Sequence, residues 1–295
     1  LIVPLLNKQL LENMALGGIS MPNGYWQGFD STRIYYHYWP AFKPRATIYL
    51  VHGLGEHAGR YDHVASFFNQ HDFSVIAFDL RGHGLSEGKR GHAISYEALL
   101  KDIDLLFSES QLLSRNQISF LYGHSLGGNL VLNYALRRKS PFRGVIATSP
   151  WLSLAKPPSL IQEILANIEA LFFPGIVIKT GLDAAGLSRD KTVVTKYIND
   201  ELVHDYLSVG LFKEINKAAD FAKANAPYFP LPLLLVHGTD DPITSYKASK
   251  EFAKKVPHCT FKSWPGLLHE THNESCYKEV LAFNLKWLEQ LLTNK

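Results

Sequence analysis

Short apolar runs alternate with longer amphipathic segments over the first half of the chain. Uninterrupted apolar runs of this length are typical of strands that are buried on both faces of a parallel sheet. The segments between them carry apolar residues at helical spacing. The pattern predicts strands at residues 47–51, 73–78, 118–122 and 144–148, and helices at residues 60–70, 95–113 and 126–138.

The pattern changes on both sides of this region. Aromatic and β-branched residues at 25–29 and 32–39 flank Asp30 and Ser31, which predicts an antiparallel hairpin. Beyond about residue 230 the alternation of strand and helix resumes. We predict strands there at residues 233–236 and 260–264, and helices at residues 245–255 and 274–292.

A length of 295 residues suits one large α/β domain with an insertion. We predict an α/β fold with a mostly parallel sheet, an N-terminal antiparallel hairpin, helices on both faces and an inserted helical cap. The cap is predicted at residues 151–230, where strands and helices no longer alternate. The core then consists of residues 24–150 and 231–295, and residues 1–23 form an N-terminal extension.

Composition and charge argue against a disordered chain, a membrane protein and a nucleic-acid-binding protein. Hydrophobic residues make up 46% of the chain and charged residues 19%, which is an ordinary balance for a globular protein. The net charge is +3, and the 30 Lys and Arg residues are scattered among 27 acidic residues. Because nucleic-acid binding usually needs a basic stripe, we expect no nucleic-acid partner.

Cys259 and Cys276 are too few for a disulfide framework, and neither has the neighbours of a metal site. They indicate reduced thiols in a cytoplasmic protein without a bound metal. Polar residues interrupt the Leu-rich residues 1–16, so we expect no membrane-spanning helix there. We also expect no signal peptide, because no basic region precedes the apolar part. An amphipathic segment that contacts a membrane and a frayed terminus are both open interpretations of these residues.

The clearest chemical motif is Gly-His-Ser-Leu-Gly-Gly at residues 123–128, between a predicted strand and a predicted helix. A Gly-x-Ser-x-Gly motif in this context is typical of a nucleophilic serine on a sharp strand-to-helix turn. Gly123 and Gly127 give the turn steric room, and Ser125 stands at a helix N-terminus, which favours a developing oxyanion. We predict Ser125 as a nucleophile, and an ordinary glycine turn is the competing interpretation.

A serine nucleophile needs a histidine base and a carboxylate that orients this base. Acidic and histidine residues follow the last two predicted strands, in the order serine, acid, histidine. Asp241 precedes a proline at a loop tip, so we prefer it to Asp240 as the acid. As the base we prefer His269, just beyond the last strand, to His258, which precedes that strand, and to His272.

An oxyanion hole needs two backbone N–H donors. Leu126, directly after the nucleophile, is predicted to supply one donor, and Leu54, in the glycine-bearing loop after strand 47–51, the other. The competing interpretation is that this loop only closes a strand-to-helix turn. A second glycine-rich loop, at residues 79–86, is predicted to brace its neighbours rather than to react.

With these residues, the chain resembles the monoacylglycerol lipase and lysophospholipase family of α/β-hydrolases. The matching segments are residues 52–61, 79–88, 123–128, 149–150, 187–190 and 237–241, which together span most of the chain. The resemblance implies the α/β-hydrolase fold, a cap over the site, no cofactor, and hydrolysis of one long acyl chain from a small alcohol. It also implies that Glu56, Arg60, Tyr197 and His272 shape the pocket for the polar alcohol. Where this chain has Leu54 and Leu126, other residues are common in the family, but both leucines keep their backbone donors.

The preferred function is cleavage of monoacylglycerols to fatty acid and glycerol through a Ser-His-Asp triad and an acyl-enzyme. A lysophospholipase or a general carboxylesterase would use the same triad, and a non-catalytic binding protein on the same fold is a third interpretation. The acyl chain length, the head group and the oligomeric state stay open.

The predicted cap contains an apolar stripe that either packs internally or faces an entering acyl chain. The residues at helical spacing are Leu160, Ile164, Leu165, Ile168, Leu171 and Phe172. Peripheral contact of this cap with a membrane surface is therefore a further hypothesis.

Overall fold

The computed structural model describes residues 23–114, 118–156 and 172–293. Its strands are β1 Gly24–Gln27, β2 Arg33–Trp39, β3 Ala46–Val51, β4 Phe73–Phe78, β5 Ile118–His124, β6 Val145–Thr148, β7 Val177–Lys179, β8 Tyr206–Ser208, β9 Leu233–Gly238 and β10 Cys259–Trp264. Its helices are α1 Asp62–Asn69, α2 Tyr96–Glu109, α3 Gln111–Ser114, α4 Leu126–Arg137, α5 Lys191–Ile198, α6 Val209–Asn225, α7 Tyr246–Ala253 and α8 Tyr277–Thr293. Short 3₁₀ turns lie at Ala58–Tyr61, Ala184–Gly186, Ala226–Tyr228 and Thr271–Asn273.

One eight-stranded sheet, in the order β1-β2-β4-β3-β5-β6-β9-β10, forms the centre of the molecule. β1 pairs antiparallel with β2, and β2 pairs antiparallel with β4. All other neighbours in this sheet are parallel, so the predicted hairpin and the predicted parallel sheet are both confirmed. The carboxyl ends of the parallel strands therefore meet at one edge, where sites of this class of fold assemble.

Helices cover both faces of the sheet, as predicted. On one face, Leu130 of α4 and Ile215 of α6 are fully buried in a common apolar cluster. On the other face, Phe68 of α1 and Leu281 of α8 are fully buried in a second cluster. The continuous apolar runs of β3 and β4 are buried at every position, because their side chains alternate between these two clusters.

The helix predicted at residues 95–113 is broken into α2 and α3 in the structure. The break lies at Ser110, which ends α2 and is buried. Its hydroxyl donates to the carbonyl oxygen of Leu106 at 2.5 Å. A serine side chain that takes up a helix carbonyl competes with the continuing helical ladder, and apolar spacing alone does not reveal this competition.

The range predicted as the cap holds two features that its sequence pattern did not indicate. β7 and β8 form a separate two-stranded antiparallel sheet, whose strands are only three residues long and too short for a clear alternation. Helix α6 packs on α4 of the core, where Asn133 Nδ2 donates to the carbonyl oxygen of Ala218 at 3.1 Å. Helix α6, although it lies in the predicted cap range, therefore packs as part of the core.

Several sequence predictions fall outside the described residues. They concern the N-terminal extension, except for its last residue, and the first five positions of the apolar stripe, Leu160, Ile164, Leu165, Ile168 and Leu171. Phe172, the last residue of the stripe, is described and is exposed.

Candidate active site

Ser125 lies at the point where β5 ends and α4 begins. Its backbone has φ 54° and ψ −113°, a region that residues with a side chain rarely occupy. The surrounding chain fixes this conformation: Ser125 N–H donates to Thr148 O at 3.0 Å, and Ser125 O accepts from Trp151 N–H at 3.0 Å. The strand-to-helix turn predicted from the Gly-x-Ser-x-Gly motif is therefore present, with its serine held in a strained conformation.

The two glycines of the motif are required by close backbone approach. A Cβ atom on Gly123 would lie 2.3 Å from Gly127 O, and one on Gly127 would lie 2.0 Å from Val51 O. Both distances are far inside van der Waals contact, and the atoms involved are backbone atoms that cannot rotate away. The steric room predicted for these positions is confirmed.

Asp241 and His269 meet at the same sheet edge. His269 Nδ1 lies 2.8 Å from Asp241 Oδ2, and both side chains are buried. A carboxylate only accepts hydrogen bonds, so the proton of the neutral ring is on Nδ1 and the lone pair on Nε2. His269 and Ser125 line the same cavity.

The competing residues lie elsewhere. Asp240 is exposed, and its carboxylate accepts a hydrogen bond from the neighbouring Thr239 hydroxyl. His258 is exposed at the opposite edge of the sheet, where its carbonyl oxygen accepts from Leu233 N–H at the start of β9. Of the residues that compete for these two roles, the structure thus brings Asp241 and His269 together.

Several donors hold the carboxylate of Asp241. Its Oδ1 accepts from the backbone N–H groups of Ile243 at 2.8 Å and Thr244 at 3.0 Å, and its Oδ2 accepts from Thr244 Oγ1 at 2.8 Å. A second histidine, His237, places Nε2 2.9 Å from the same Oδ2. Burial alone would raise the pKa of Asp241, but the two histidines lower it below its ordinary value.

Sequence reasoning did not assign a role to Thr244, His237 or Ser149. Ser149 follows β6, has φ 42°, and donates its hydroxyl to the carbonyl oxygen of His269 at 2.7 Å. The available signals were a Ser-Pro pair after one strand, a His-Gly pair after another, and a hydroxyl three residues beyond the acid. None of these signals reveals which loops touch.

The pKa of His269 is raised above its ordinary value. Burial opposes the charged imidazolium, but the charge of Asp241 and its hydrogen bond outweigh burial. A ring that gains a proton readily at Nε2 while Asp241 holds Nδ1 suits general-base chemistry.

Leu54 and Leu126 stand on either side of the serine. Leu54 lines the cavity, and its neighbour Gly53 is so close to Ser125 that a Cβ atom on the glycine would lie 3.2 Å from Ser125 Cβ. Leu126 is the first residue of α4, so its N–H points out of the helix end. Among the described residues, neither of these two N–H groups has an acceptor. The geometry is compatible with the predicted pair of oxyanion donors.

A buried cluster of charges connects the loop of Leu54 to the loop of His269. Arg60 donates to Glu56 Oε2 at 2.5 Å and to both carboxylate oxygens of Glu270, at 2.7 and 2.8 Å. Glu56 Oε1 in turn accepts from Gly53 N–H at 2.6 Å. Burial and the charge of Glu270 raise the pKa of Glu56, whereas Arg60 outweighs burial at Glu270 and lowers the pKa of that carboxyl to about 2.

The four residues expected to shape an alcohol pocket fall into two groups. Glu56 and Tyr197 line the cavity, and Glu270 lies beside them. Arg60 is not among the described lining residues; its guanidinium lies 4.8 Å from the ring centre of Tyr197, behind the wall. His272 does not line the cavity either, because its fully buried ring stacks on Tyr61. Burial lowers the pKa of His272 to about 3, so its ring is neutral.

The cavity in front of Ser125 has a volume of about 800 Å³. Its wall near the serine is polar and contains Glu56, Glu270 and His269. The predicted cap range and the loop after Asp241 contribute charged residues such as Lys156, Lys179 and Asp205, and a larger set of apolar residues: Trp151, Leu154, Ile178, Leu182, Leu187, Leu207, Val209, Phe212 and Ile243. A wall that combines polar groups with many apolar side chains suits an amphiphilic ligand.

The glycine-rich loop at residues 79–86 lies outside this cavity wall, as far as the described residues define it. Asp79 accepts from the backbone N–H groups of Ala58 and Leu85, both at 2.8 Å. Arg81 donates twice to the buried carboxylate of Asp102, with both bonds at 2.7 Å. The predicted bracing role of this loop is confirmed.

Comparisons with known proteins agree with this architecture. A family model described as serine aminopeptidase, S33 matches residues 42–276. The chain is 40% identical over 259 residues to an abhydrolase domain-containing protein of Dictyostelium discoideum, a match that covers 86% of this chain and 27% of that protein. It is 32% identical over 265 residues to a monoacylglycerol lipase of Mycolicibacterium smegmatis, a match that covers 88% of this chain and 94% of the relative.

A solved structure agrees over nearly its whole length. The crystal structure of the Paleococcus ferrophilus monoacylglycerol lipase superposes with a TM-score of 0.79 at 35% identity, and the match covers 89% of this chain and 99% of that one. This similarity and the strand order confirm the α/β-hydrolase fold. The chain therefore belongs to the serine aminopeptidase S33 family of α/β-hydrolases, and monoacylglycerol lipases are among its relatives.

Proposed function

We propose that this protein is a serine esterase that hydrolyses monoacylglycerols to fatty acid and glycerol, with Ser125, His269 and Asp241 as its triad. The observation that carries the proposal is the ordered His269–Asp241 pair, at 2.8 Å, in the same cavity as the strained Ser125. The similarity to monoacylglycerol lipases supports the choice of substrate class.

The reaction follows from the protonation states at the site. Ser125 Oγ attacks the ester carbonyl carbon while His269 Nε2 takes the proton of the Ser125 hydroxyl. The N–H groups of Leu54 and Leu126 stabilise the oxyanion, and the new imidazolium of His269 is stabilised by Asp241. His269 then gives the proton to the leaving alcohol, and water hydrolyses the acyl-enzyme with His269 again as the base.

The size and polarity of the cavity support a substrate with one acyl chain. The apolar lining residues accommodate a single chain, and a volume of about 800 Å³ is small for the three long chains of a triacylglycerol. At the serine end, Glu56 and Glu270 share the one guanidinium of Arg60. At this position two acids with one cation suit glycerol hydroxyls and disfavour a phosphate, whereas Lys156 and Lys179 line the cavity from the predicted cap range.

We expect monoacylglycerol to be cleaved with at least about tenfold higher kcat/KM than lysophosphatidylcholine or triacylglycerol of the same chain length, since the wrong head group leaves buried polar groups unpaired. The measurement is steady-state kinetics on the three lipids in detergent, at ratios that equalise their presentation. Ser125→Ala protein, purified in parallel, provides the background rate.

Each other outcome selects a different function. Equal or better turnover of lysophosphatidylcholine would assign the protein as a lysophospholipase. Turnover of short soluble esters without turnover of any of the three lipids would assign it as a general carboxylesterase. Wild-type rates on all esters that equal the Ser125→Ala background would favour a binding protein on this fold.

Peripheral contact with a lipid surface also belongs to the proposal. Among the described residues, no helix has the length and apolar character needed to cross a bilayer. Phe172 and Phe173 are 67% and 63% exposed, and Ile176 and Ile178 near them are exposed as well. Ile178 also lines the cavity, so the apolar surface continues from the outside of the cap range into the site. Such a patch can take a lipid directly from a membrane.

We expect the double variant Phe172→Ser/Phe173→Ser to lose at least about fivefold in affinity for phosphatidylcholine vesicles, because two large apolar side chains no longer enter the interface. Vesicle flotation measures this affinity. Phe42→Ser is the matched control: Phe42 is 93% exposed and lies before β3, at the opposite edge of the sheet. Equal losses in the two proteins would contradict contact through the cap.

A further inference from the structure

The carboxylate oxygen that faces His269 also faces a second imidazole. Asp241 Oδ2 lies 2.8 Å from His269 Nδ1 and 2.9 Å from His237 Nε2. His237 is fully buried. The mechanism described above does not use it.

The hydrogen bonds of His237 define where its proton is. Its Nε2 faces a carboxylate, which only accepts, so Nε2 carries the hydrogen. Its Nδ1 lies 2.9 Å from the hydroxyl oxygen of Ser249, and this hydroxyl is placed to donate to a lone pair on Nδ1. Ser249 thus selects the tautomer of His237 that can donate to Asp241.

His237 is also held rigidly. It is the penultimate residue of β9 and pairs in register with Ser263 of β10. The titratable groups that face it are Asp241, from the loop that follows its own strand, and Tyr246 of α7, whose ring centre lies 5.9 Å away, edge-on. Below the ring, Ser249 of α7 is fully buried. A donor fixed by a strand and a helix fixes in turn the group to which it donates.

We propose that His237 is a positioning residue of the active site, whose Nε2–H orients the Asp241 carboxylate toward His269 and takes up part of its negative charge. This inference rests on the proposed esterase function. His237 does not touch the substrate and is not a member of the triad. It acts through Asp241.

Two consequences distinguish this role from simple core packing. Without the His237 donor, the carboxylate loses one fixed contact, so His269 is less well placed for proton transfer and kcat falls while substrate binding is unchanged. Without this hydrogen bond the negative charge of Asp241 is also less neutralised, so it attracts the imidazolium of His269 more strongly. A more strongly stabilised imidazolium raises the pKa of His269, and kcat/KM then begins to fall at a higher pH on acidification. The other titratable groups that act on His269, namely His124 with its ring centre 4.7 Å away and the carboxylates of Glu56 and Glu270, are the same in all variants.

Two substitutions at position 237 separate these effects. His237→Leu fills a similar volume but donates nothing. His237→Gln keeps an N–H group for Asp241 and an acceptor for Ser249. A third variant, Ser249→Ala, leaves the ring in place and removes the hydroxyl that selects its tautomer.

For His237→Leu we expect kcat to fall by roughly tenfold to a hundredfold with little change in KM, and the acidic limb of the kcat/KM profile to move to higher pH. His237→Gln should restore most of the activity, and the pH at which its kcat/KM falls on acidification should be close to that of the wild type. Ser249→Ala should change both quantities in the same direction as His237→Leu, but less. Thermal unfolding checks that each variant is folded.

The inference is overturned if folded His237→Leu keeps the wild-type kcat, if its acidic limb is unmoved or moves to lower pH, or if His237→Gln is as impaired as His237→Leu. If His237→Leu does not fold, Ser249→Ala becomes the test of the inference. Wild-type kinetics of Ser249→Ala would then overturn it. Failure of the proposed function is distinguishable, because wild-type protein would then hydrolyse esters no faster than Ser125→Ala.

Discussion

In a folded Ser125→Ala variant we expect ester hydrolysis to fall by roughly 10⁵- to 10⁶-fold, because no acyl-enzyme can form without the hydroxyl oxygen. The substitution removes a single oxygen atom at a position whose backbone conformation, φ 54° and ψ −113°, is equally demanding for serine and alanine. The cavity and its polar groups stay in place, so substrate binding should persist while turnover is lost.

Two measurements check this result. Residual turnover is followed with a chromogenic ester at high protein concentration, and covalent labelling with a fluorophosphonate is mapped by mass spectrometry. Ser66→Ala, on the exposed side of α1, is the control for a serine lost elsewhere. The proposed mechanism fails if folded Ser125→Ala turns over at a substantial rate, or if the label maps to another residue.

The second large effect is expected at Asp241. Asp241→Asn should reduce kcat by about 10⁴-fold, because the amide no longer holds the proton of His269 on Nδ1 and no longer stabilises the imidazolium. The neighbouring Asp240→Asn is a matched control: it is exposed, and its carboxylate contacts only the adjacent Thr239 side chain among the described residues. We expect its kcat to stay within about twofold of wild type.

The same contrast applies to the base. His269→Ala should resemble Asp241→Asn or be more severe, and His258→Ala, at the other edge of the sheet, should behave as wild type. Steady-state kinetics on one monoacylglycerol compare the four variants. Equal losses in Asp240→Asn and Asp241→Asn, or in His258→Ala and His269→Ala, would show that the acid or the base is assigned to the wrong residue.

The sequence was sufficient for the order along the chain of the strands of the central sheet and for the strand-to-helix turn at Ser125. Uninterrupted apolar runs distinguish buried strands such as β3 and β4 because the pattern records the burial of each position along the chain. The strand-to-helix turn at Ser125 can be predicted from sequence because the serine and the glycines that it needs lie within six residues, 123–128, between one strand and one helix. The preference for Asp241 and His269 came from local arguments about loop tips and strand ends, and the structure brings these two side chains together.

Tertiary structure decided which loops touch. Arg60 and Glu270 are 210 residues apart in sequence, and His269, which follows β10, reaches Asp241, which follows β9, only because these two strands pair in register. The sequence pattern also did not predict the packing of α6 on the core or the pairing of β7 with β8. Nor did it predict that His272 lies behind the cavity wall. Spacing along the chain records the burial of each residue, whereas a hydrogen bond between loops depends on the register and packing of the elements that carry them.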